Sequence, residues 1–275
     1  MIELVGEIGI NANGDLNIAK KLIDICSIAG INYVKFQKRT IELVYDSEEL
    51  LKPRQSPWGT TNFEQKQGLE FSYNDYLEID KYCKSKGNIE WFASPWDIKS
   101  ASLISMLGSK FIKIASPMLT DLEFVEFCAS QYNLPLILST GMSTIEMLDE
   151  AIGVAGRNKI YSIMHCTSTY PTDEREINLK VIPYLIQRYP RIKIGFSNHF
   201  PGIPFMIGAA ALGAELIEFH ITIDRSMYGS DQISSIEPHA ILKLTKYIRG
   251  IERGLGDGIK RIYESELPII EKLRR

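Results

Sequence analysis

Short runs of almost unbroken apolar residues recur along the chain, each followed by a stretch of helical length in which apolar residues return every three or four positions. The runs are "IELVGEI" (2 to 8), "INYVKFQ" (31 to 37), "IEWFAS" (89 to 94), "KFIKIAS" (110 to 116), "PLILST" (135 to 140), "IYSIMHC" (160 to 166), "IKIGFS" (192 to 197) and "ELIEFHI" (215 to 221). Strands so rarely interrupted by polar residues are buried on both faces, as in a parallel sheet covered by helices. Helices are predicted over 15 to 29, opened by Asp15 and closed by Gly30, and over 73 to 86, 143 to 156 and 237 to 253. Eight strand-helix units in 275 residues predict a single-domain (β/α)8 TIM barrel spanning 1 to 275. An open doubly wound sheet needs fewer strands and a glycine-rich first turn, whose spacing "EIGINANG" lacks. Residues 38 to 72, with Pro53, Pro57 and "WGTTNFEQ", are predicted as one long irregular stretch, a length more often functional than idle.

Composition narrows the partners. The chain is 45% hydrophobic and 24% charged with a formal net charge of −3, so it lacks the basic excess of a nucleic-acid binder. The opening "MIELVGEIGI" has no basic region or cleavage site, and no apolar run approaches the roughly 18 residues a membrane helix needs. The expectation is a cytoplasmic protein with neither nucleic-acid nor membrane partners. Cys26, Cys83, Cys128 and Cys166 are too scattered for a zinc site or a disulfide framework. They read as buried packing residues, with Cys166 in "HCTSTYPT" a weaker candidate nucleophile.

The catalytic face of such a barrel is the ring of strand ends that lead into helices. Read in order, those ends carry Glu7; Lys35 and Gln37; Ser94 and Asp97; Lys113 and Ser116; Ser139 and Thr140; His165, Thr167, Ser168 and Tyr170; Ser197, Asn198 and His199; and His220, with Asp231 on the loop beyond. Lysines and hydroxyls suit an anion, and two histidines suit a metal, so an anion beside a divalent ion is implied. Ser94, Ser139 and Thr140 taken singly could be helix caps. Lys113 is harder to dismiss, because a lysine directed into a barrel is costly without an anionic partner. His199 and His220 end consecutive strands and could share one ion. His165 reads as structural, His239 as a surface or capping residue and Asp224 as a loop-stabilising acid.

These segments resemble the sialic acid synthases, which condense phosphoenolpyruvate with an N-acetylated hexose to make nonulosonic acids. The resemblance rests on "GEIGINANGD", "VKFQ", "FASPWD", "FIKIAS", "LILSTGMST", "HCTSTYPT", "IGFSNH", "GAELIEFHITIDRSMYGSD" and "GLGDGIK", in the family's order and over nearly the whole chain. It implies that Lys35, Ser94, Lys113, Ser116, Ser139, Ser168 and Ser197 hold the phosphate and carboxylate of phosphoenolpyruvate. It further implies that His199 and His220 bind a divalent metal, Mn²⁺ ahead of Mg²⁺ or Co²⁺. Gln37, Tyr170 and Asp231 would face the sugar, and Glu7 would be the acid/base group. A homodimer is implied as well.

Two departures from the family pattern bear on the acceptor. "KIASPMLTD" places Pro117 and Met118 where a glycine and an acid are expected, removing a polar contact to the sugar. The chain given stops at "IIEKLRR", near the barrel's end, so the arginine that the family's C-terminal antifreeze-like (SAF) domain contributes has no counterpart in it. The expectation is therefore a barrel-only synthase acting on an aldose, with an antifreeze-like protein supplied separately as one route to completing the site. Two alternatives stay open: a Schiff-base aldolase using Lys113 or Lys35, and a non-catalytic sugar-acid-binding subunit.

Overall fold

All eight apolar runs are strands in the computed structural model, which describes residues 1–274. In chain order the elements are β1 (Glu3–Glu7), β2 (Tyr33–Lys38), a hairpin of β3 (Pro53–Ser56) and β4 (Gly59–Thr61), then β5 (Glu90–Pro95), β6 (Ile112–Ile114), β7 (Leu136–Ser139), β8 (Ile160–His165), β9 (Lys193–Asn198) and β10 (Leu216–His220). The hairpin apart, they close in the order β1-β10-β9-β8-β7-β6-β5-β2. The single-domain barrel expected from the alternation is therefore the fold.

The helices also lie where periodicity puts them. In the first, Leu16–Ala29, Ala19, Leu22, Ile23 and Cys26 return every three or four residues and are buried. Asp15 caps it by accepting from the backbone N–H groups of Asn17 and Ile18, and Gly30 ends it in the left-handed region. The other three predicted helices appear as Tyr73–Lys86, Ile145–Ala155 and Pro238–Gly254. Among the described residues no helix is long and apolar enough to cross a membrane.

Side chains alternate faces along a strand, so inward positions recur every second residue. Val5, Tyr33, Phe92, Phe111, Ile137, Met164 and Leu216 fill the barrel interior as one apolar plug. Two residues further along the same strands stand Glu7, Lys35, Ser94, Lys113, Ser139, Cys166 and Glu218. The polar site is thus the layer immediately above the plug, and burial of the plug fixes its floor. Register does the rest: Glu7 lies opposite Lys35 on one neighbour and His220 on the other.

The expectation of irregular structure over 38 to 72 is corrected. That stretch holds short helices at Ile41–Val44 and Ser47–Leu51, the hairpin, and a helix at Asn62–Leu69 with a Thr61/Glu64 capping box. It folds because it is pinned across the barrel mouth. Trp58 packs edge-on against Tyr228 of the loop after β10, with ring centroids 5.6 Å apart. Gly14, at φ +65°, lies so close to the Gly68 carbonyl that an added Cβ would stand 2.1 Å from that oxygen. Gly14→Ala is accordingly expected to lower stability by about 1–3 kcal/mol, through left-handed strain plus a backbone clash. A fall in the thermal midpoint checks it; an unchanged midpoint would mean the insertion is not anchored there.

Candidate active site

The strand ends surround a cavity of about 340 Å³. Every residue the sequence placed in the site lines it: Glu7, Lys35, Gln37, Ser94, Lys113, Ser116, Ser139, Ser168, Tyr170, Ser197, His199, His220 and Asp231. Other strand-end residues turn away to structural work. Asp97 caps the helix Ile98–Met106 and accepts from the Thr40 backbone, the Thr140 hydroxyl donates to the Met164 carbonyl, and Asn198 donates to the Phe200 carbonyl. His165 is structural as expected, its Nε2 lying 2.8 Å from the Ile177 carbonyl. Asp224 accepts from the Ser226 backbone, and His239 is exposed. Cys26, Cys83 and Cys128 are buried, and burial pushes the thiols of Cys83 and Cys128 up to about 12. Cys166 lines the cavity with its sulfur 3.4 Å from the Ser116 hydroxyl.

Sequence reasoning missed Glu218. It is buried in β10, and both of its oxygens lie 2.6 Å from the Lys113 ammonium. Lys35 is 3.3 Å from the same carboxylate and 3.1 Å from Glu7, and the Ser197 hydroxyl donates to Glu218 at 3.2 Å. Four alternating charges, Glu7, Lys35, Glu218 and Lys113, therefore run through the barrel. Lys113 does have the anionic partner its position demanded, and the signal for that partner was the two-residue spacing of Leu216, Glu218 and His220 within an apolar run.

Burial alone would raise the Glu218 carboxyl, but Lys113 and Lys35 outweigh it and hold the group down at about 2. Burial lowers Lys113 despite Glu218, with repulsion from Lys35 adding to the effect. For Lys35 burial is again the largest influence, yet Glu218 and Glu7 together hold it above the ordinary lysine value. Gln37 fixes Glu7 by donating to its Oε1 at 2.8 Å.

His199 and His220 have ring centroids 5.4 Å apart. The Nδ1–H of His199 donates to the Thr167 carbonyl at 2.6 Å, which assigns the lone pair to Nε2, 3.1 Å from the Tyr170 hydroxyl. Burial, then the neighbouring His220, push His199 down to about 3, so it is a neutral imidazole. Nδ1 of His220 is buried without a hydrogen-bond partner, 3.4 Å from Asp231 Oδ2. A neutral imidazole held by a carbonyl, beside an orphaned ring nitrogen near a carboxylate, fits a divalent metal. Among the described residues no group of three or more His, Cys, Asp or Glu side chains forms a complete metal cage, so this pair would leave coordination positions open.

The remaining donors point to a ligand. The hydroxyls of Ser94 and Ser168 and the indole N–H of Trp96 are buried without partners, and all three residues line the cavity. At Gly141 an added Cβ would stand 2.0 Å from the Ser168 hydroxyl and 2.7 Å from that of Ser116, so only glycine lets the loop after β7 close on these serines. Of the two departures in "SPM", Pro117 lines the cavity whereas Met118 packs against the core.

Comparison with known proteins gives one consistent result. The family profile described as the NeuB family matches residues 22–260. The chain is 36% identical over 280 residues to N,N'-diacetyllegionaminic acid synthase of Campylobacter jejuni, covering 99% of this chain and 83% of that one. It is 33% identical to human N-acetylneuraminate-9-phosphate synthase, covering 98% and 76%. The crystal structure of N-acetylneuraminic acid (sialic acid) synthetase from Leptospira borgpetersenii, in complex with citrate, superposes with a TM-score of 0.86 at 31% identity, covering 100% of this chain and 93% of that one. A barrel whose strand ends converge on one cavity, matched by this profile over most of its length and by synthases over nearly all of it, belongs to the NeuB family.

Proposed function

We propose that the chain condenses phosphoenolpyruvate with an aldose of the N-acetylated hexose type, releasing phosphate and forming a nonulosonic or related 3-deoxy-2-keto sugar acid. The observation that carries this reading is the convergence, in one cavity, of two buried lysines, orphaned hydroxyls and a paired set of imidazoles. Relatives named for sialic and legionaminic acids support it. One of those names carries a phosphate on the product and the other does not, so the acceptor's decoration varies within the family.

Lys35 and Lys113, with Ser94, Ser116, Ser139, Ser168 and Ser197, would hold the phosphate and carboxylate. Because the lysines are already matched by Glu7 and Glu218, the free hydroxyls of Ser94 and Ser168 and the indole N–H of Trp96 would supply much of the binding, which favours a rigid cradle over a flexible one. C3 of phosphoenolpyruvate attacks the aldehyde carbon, water adds at C2, and the C2–O bond to phosphate breaks. Glu7, oriented by Gln37, would take the proton that the water loses. A divalent ion at His199 and His220, Mn²⁺ first and Mg²⁺ or Co²⁺ by the same donors, would supply Lewis-acid polarisation of the aldehyde oxygen. Gln37, Tyr170 and Asp231 would orient the sugar.

Phosphate release from phosphoenolpyruvate with Mn²⁺, over a panel of aldoses and N-acylated hexoses, tests the reading. Turnover with at least one acceptor is expected. Silence across the panel, alone and with a separately supplied antifreeze-like protein, overturns it. The aldolase alternative is separated by borohydride trapping with a keto acid. No adduct is expected, because the Lys113 nitrogen is clamped by both Glu218 oxygens.

A further inference from the structure

The motif "GEIGINANGD" brings Glu7 into the cavity, but its asparagines take no part in the chemistry proposed above. Asn11 lies in the 3-10 turn Gly9–Ala12 that follows β1, is 1% exposed, and stands behind the cavity wall rather than in it. Its side chain reaches the loop after β10, at residues 210 and 224 positions further along the chain. That loop leaves the barrel at Ile221 and returns at Ile236, where the two residues bridge. The Asn11 Nδ2 donates to the Ile221 carbonyl at 2.9 Å and to the Ser235 hydroxyl at 2.7 Å, so one amide grips both ends of the loop. Asp231 lies between those ends.

The direction of these bonds is fixed. A carbonyl can only accept, so the Asn11 nitrogen must face Ile221, and the Ser235 hydroxyl must give its own proton to the Asp231 carbonyl, 2.7 Å away. The Asn11 amide, the Ser235 hydroxyl and the Asp231 backbone therefore form a directed relay. Ser235 is fully buried, and Asn13 and Gln232 add a second tie by donating to the Tyr228 carbonyl at 2.9 and 3.1 Å. The Asn11 Oδ1 is left buried without a partner, a penalty that the two donations must offset and that a space-filling residue would not carry. At the end of the relay the Asp231 side chain lines the cavity, with Oδ2 3.4 Å from Nδ1 of His220.

We infer that Asn11 is a positioning residue, which acts through Ser235 to hold the loop 222–235 so that Asp231 faces the acceptor sugar. The inference rests on the proposed reading of Asp231 as a sugar contact. Loops are the mobile part of a barrel, whereas a substrate contact must be held to within about half an ångström, so a loop-borne contact needs support from outside the cavity.

The test uses Asn11→Ala, Ser235→Ala and the double variant, with Ser235→Ala carrying the test if Asn11→Ala fails to fold. KM for phosphoenolpyruvate and for the acceptor is measured with Mn²⁺, using N-acetylmannosamine or, if another member of the panel turns over faster, that sugar. Amide hydrogen exchange over 222–235 is followed in the same proteins. Each single variant should raise the acceptor KM by about tenfold to a hundredfold, leave that for phosphoenolpyruvate within about twofold, and speed exchange in the loop but not in the barrel strands. The double variant should be no worse than the worse single one, as for two members of one relay. Losses that multiply, two KM values that rise alike, an unmoved acceptor KM, or unchanged loop exchange each overturn the positioning role while the condensation stands. A wild type silent with every acceptor overturns the condensation instead; the relay is then kept by faster loop exchange in the variants and overturned by unchanged exchange.

Discussion

Replacing Glu218 with glutamine is expected to cost about 3–5 kcal/mol of folding stability, read as a lower midpoint of urea unfolding at unchanged slope. The carboxylate is the hub of a buried charge chain, in contact with Lys113 through both oxygens and with Lys35 through one. Glutamine keeps the shape but removes the charge. Lys113 would then be a fully enclosed ammonium without a counter-ion, and Lys35 would retain only Glu7. The penalty comes from the stranded charge rather than from lost packing, which makes a sharp internal control available. Adding Lys113→Met to the Glu218→Gln background should recover part of the loss, since removing both charges removes the uncompensated ion. A loss below about 1 kcal/mol, or no recovery in the double variant, would refute the hub role.

His199→Ala and His220→Ala should each lower phosphate release by at least about a hundredfold while leaving the thermal midpoint within a few degrees. The two imidazoles lie side by side at the ends of adjacent strands and line the cavity rather than the apolar core. Mn²⁺ binding, followed by titration calorimetry on the protein without substrates, gives a readout independent of turnover and should weaken by more than about a hundredfold in each variant. Undiminished Mn²⁺ binding in both would remove the metal from this pair. A wild type that binds sugar acids but turns over nothing would instead leave the non-catalytic reading standing.

How far the sequence could be read is clearest in β10. Its run "ELIEFHI" looks apolar almost throughout, and His220 stood out because it ends the run. Glu218 did not, because its one local sign, the two-residue spacing to His220, says only that the two share a face and not which face that is. The alternation of Leu216, Glu218 and His220 puts all three on one face, but only the closed barrel makes that face the site. Likewise the prolines and polar residues of 38 to 72 gave no periodic signal. Its short elements hold their shape through contacts such as Trp58 with Tyr228, made with residues far away in the chain.

By itself the sequence determined the eight buried strands, the helices between them and the ring of end groups, because hydrophobic period and capping are local properties. The tertiary structure alone decided which charges meet. Glu218 finds Lys113 across 105 positions of chain. Ion pairing acts over a few ångströms of space, whatever the separation along the chain, so it appears only once the barrel has closed.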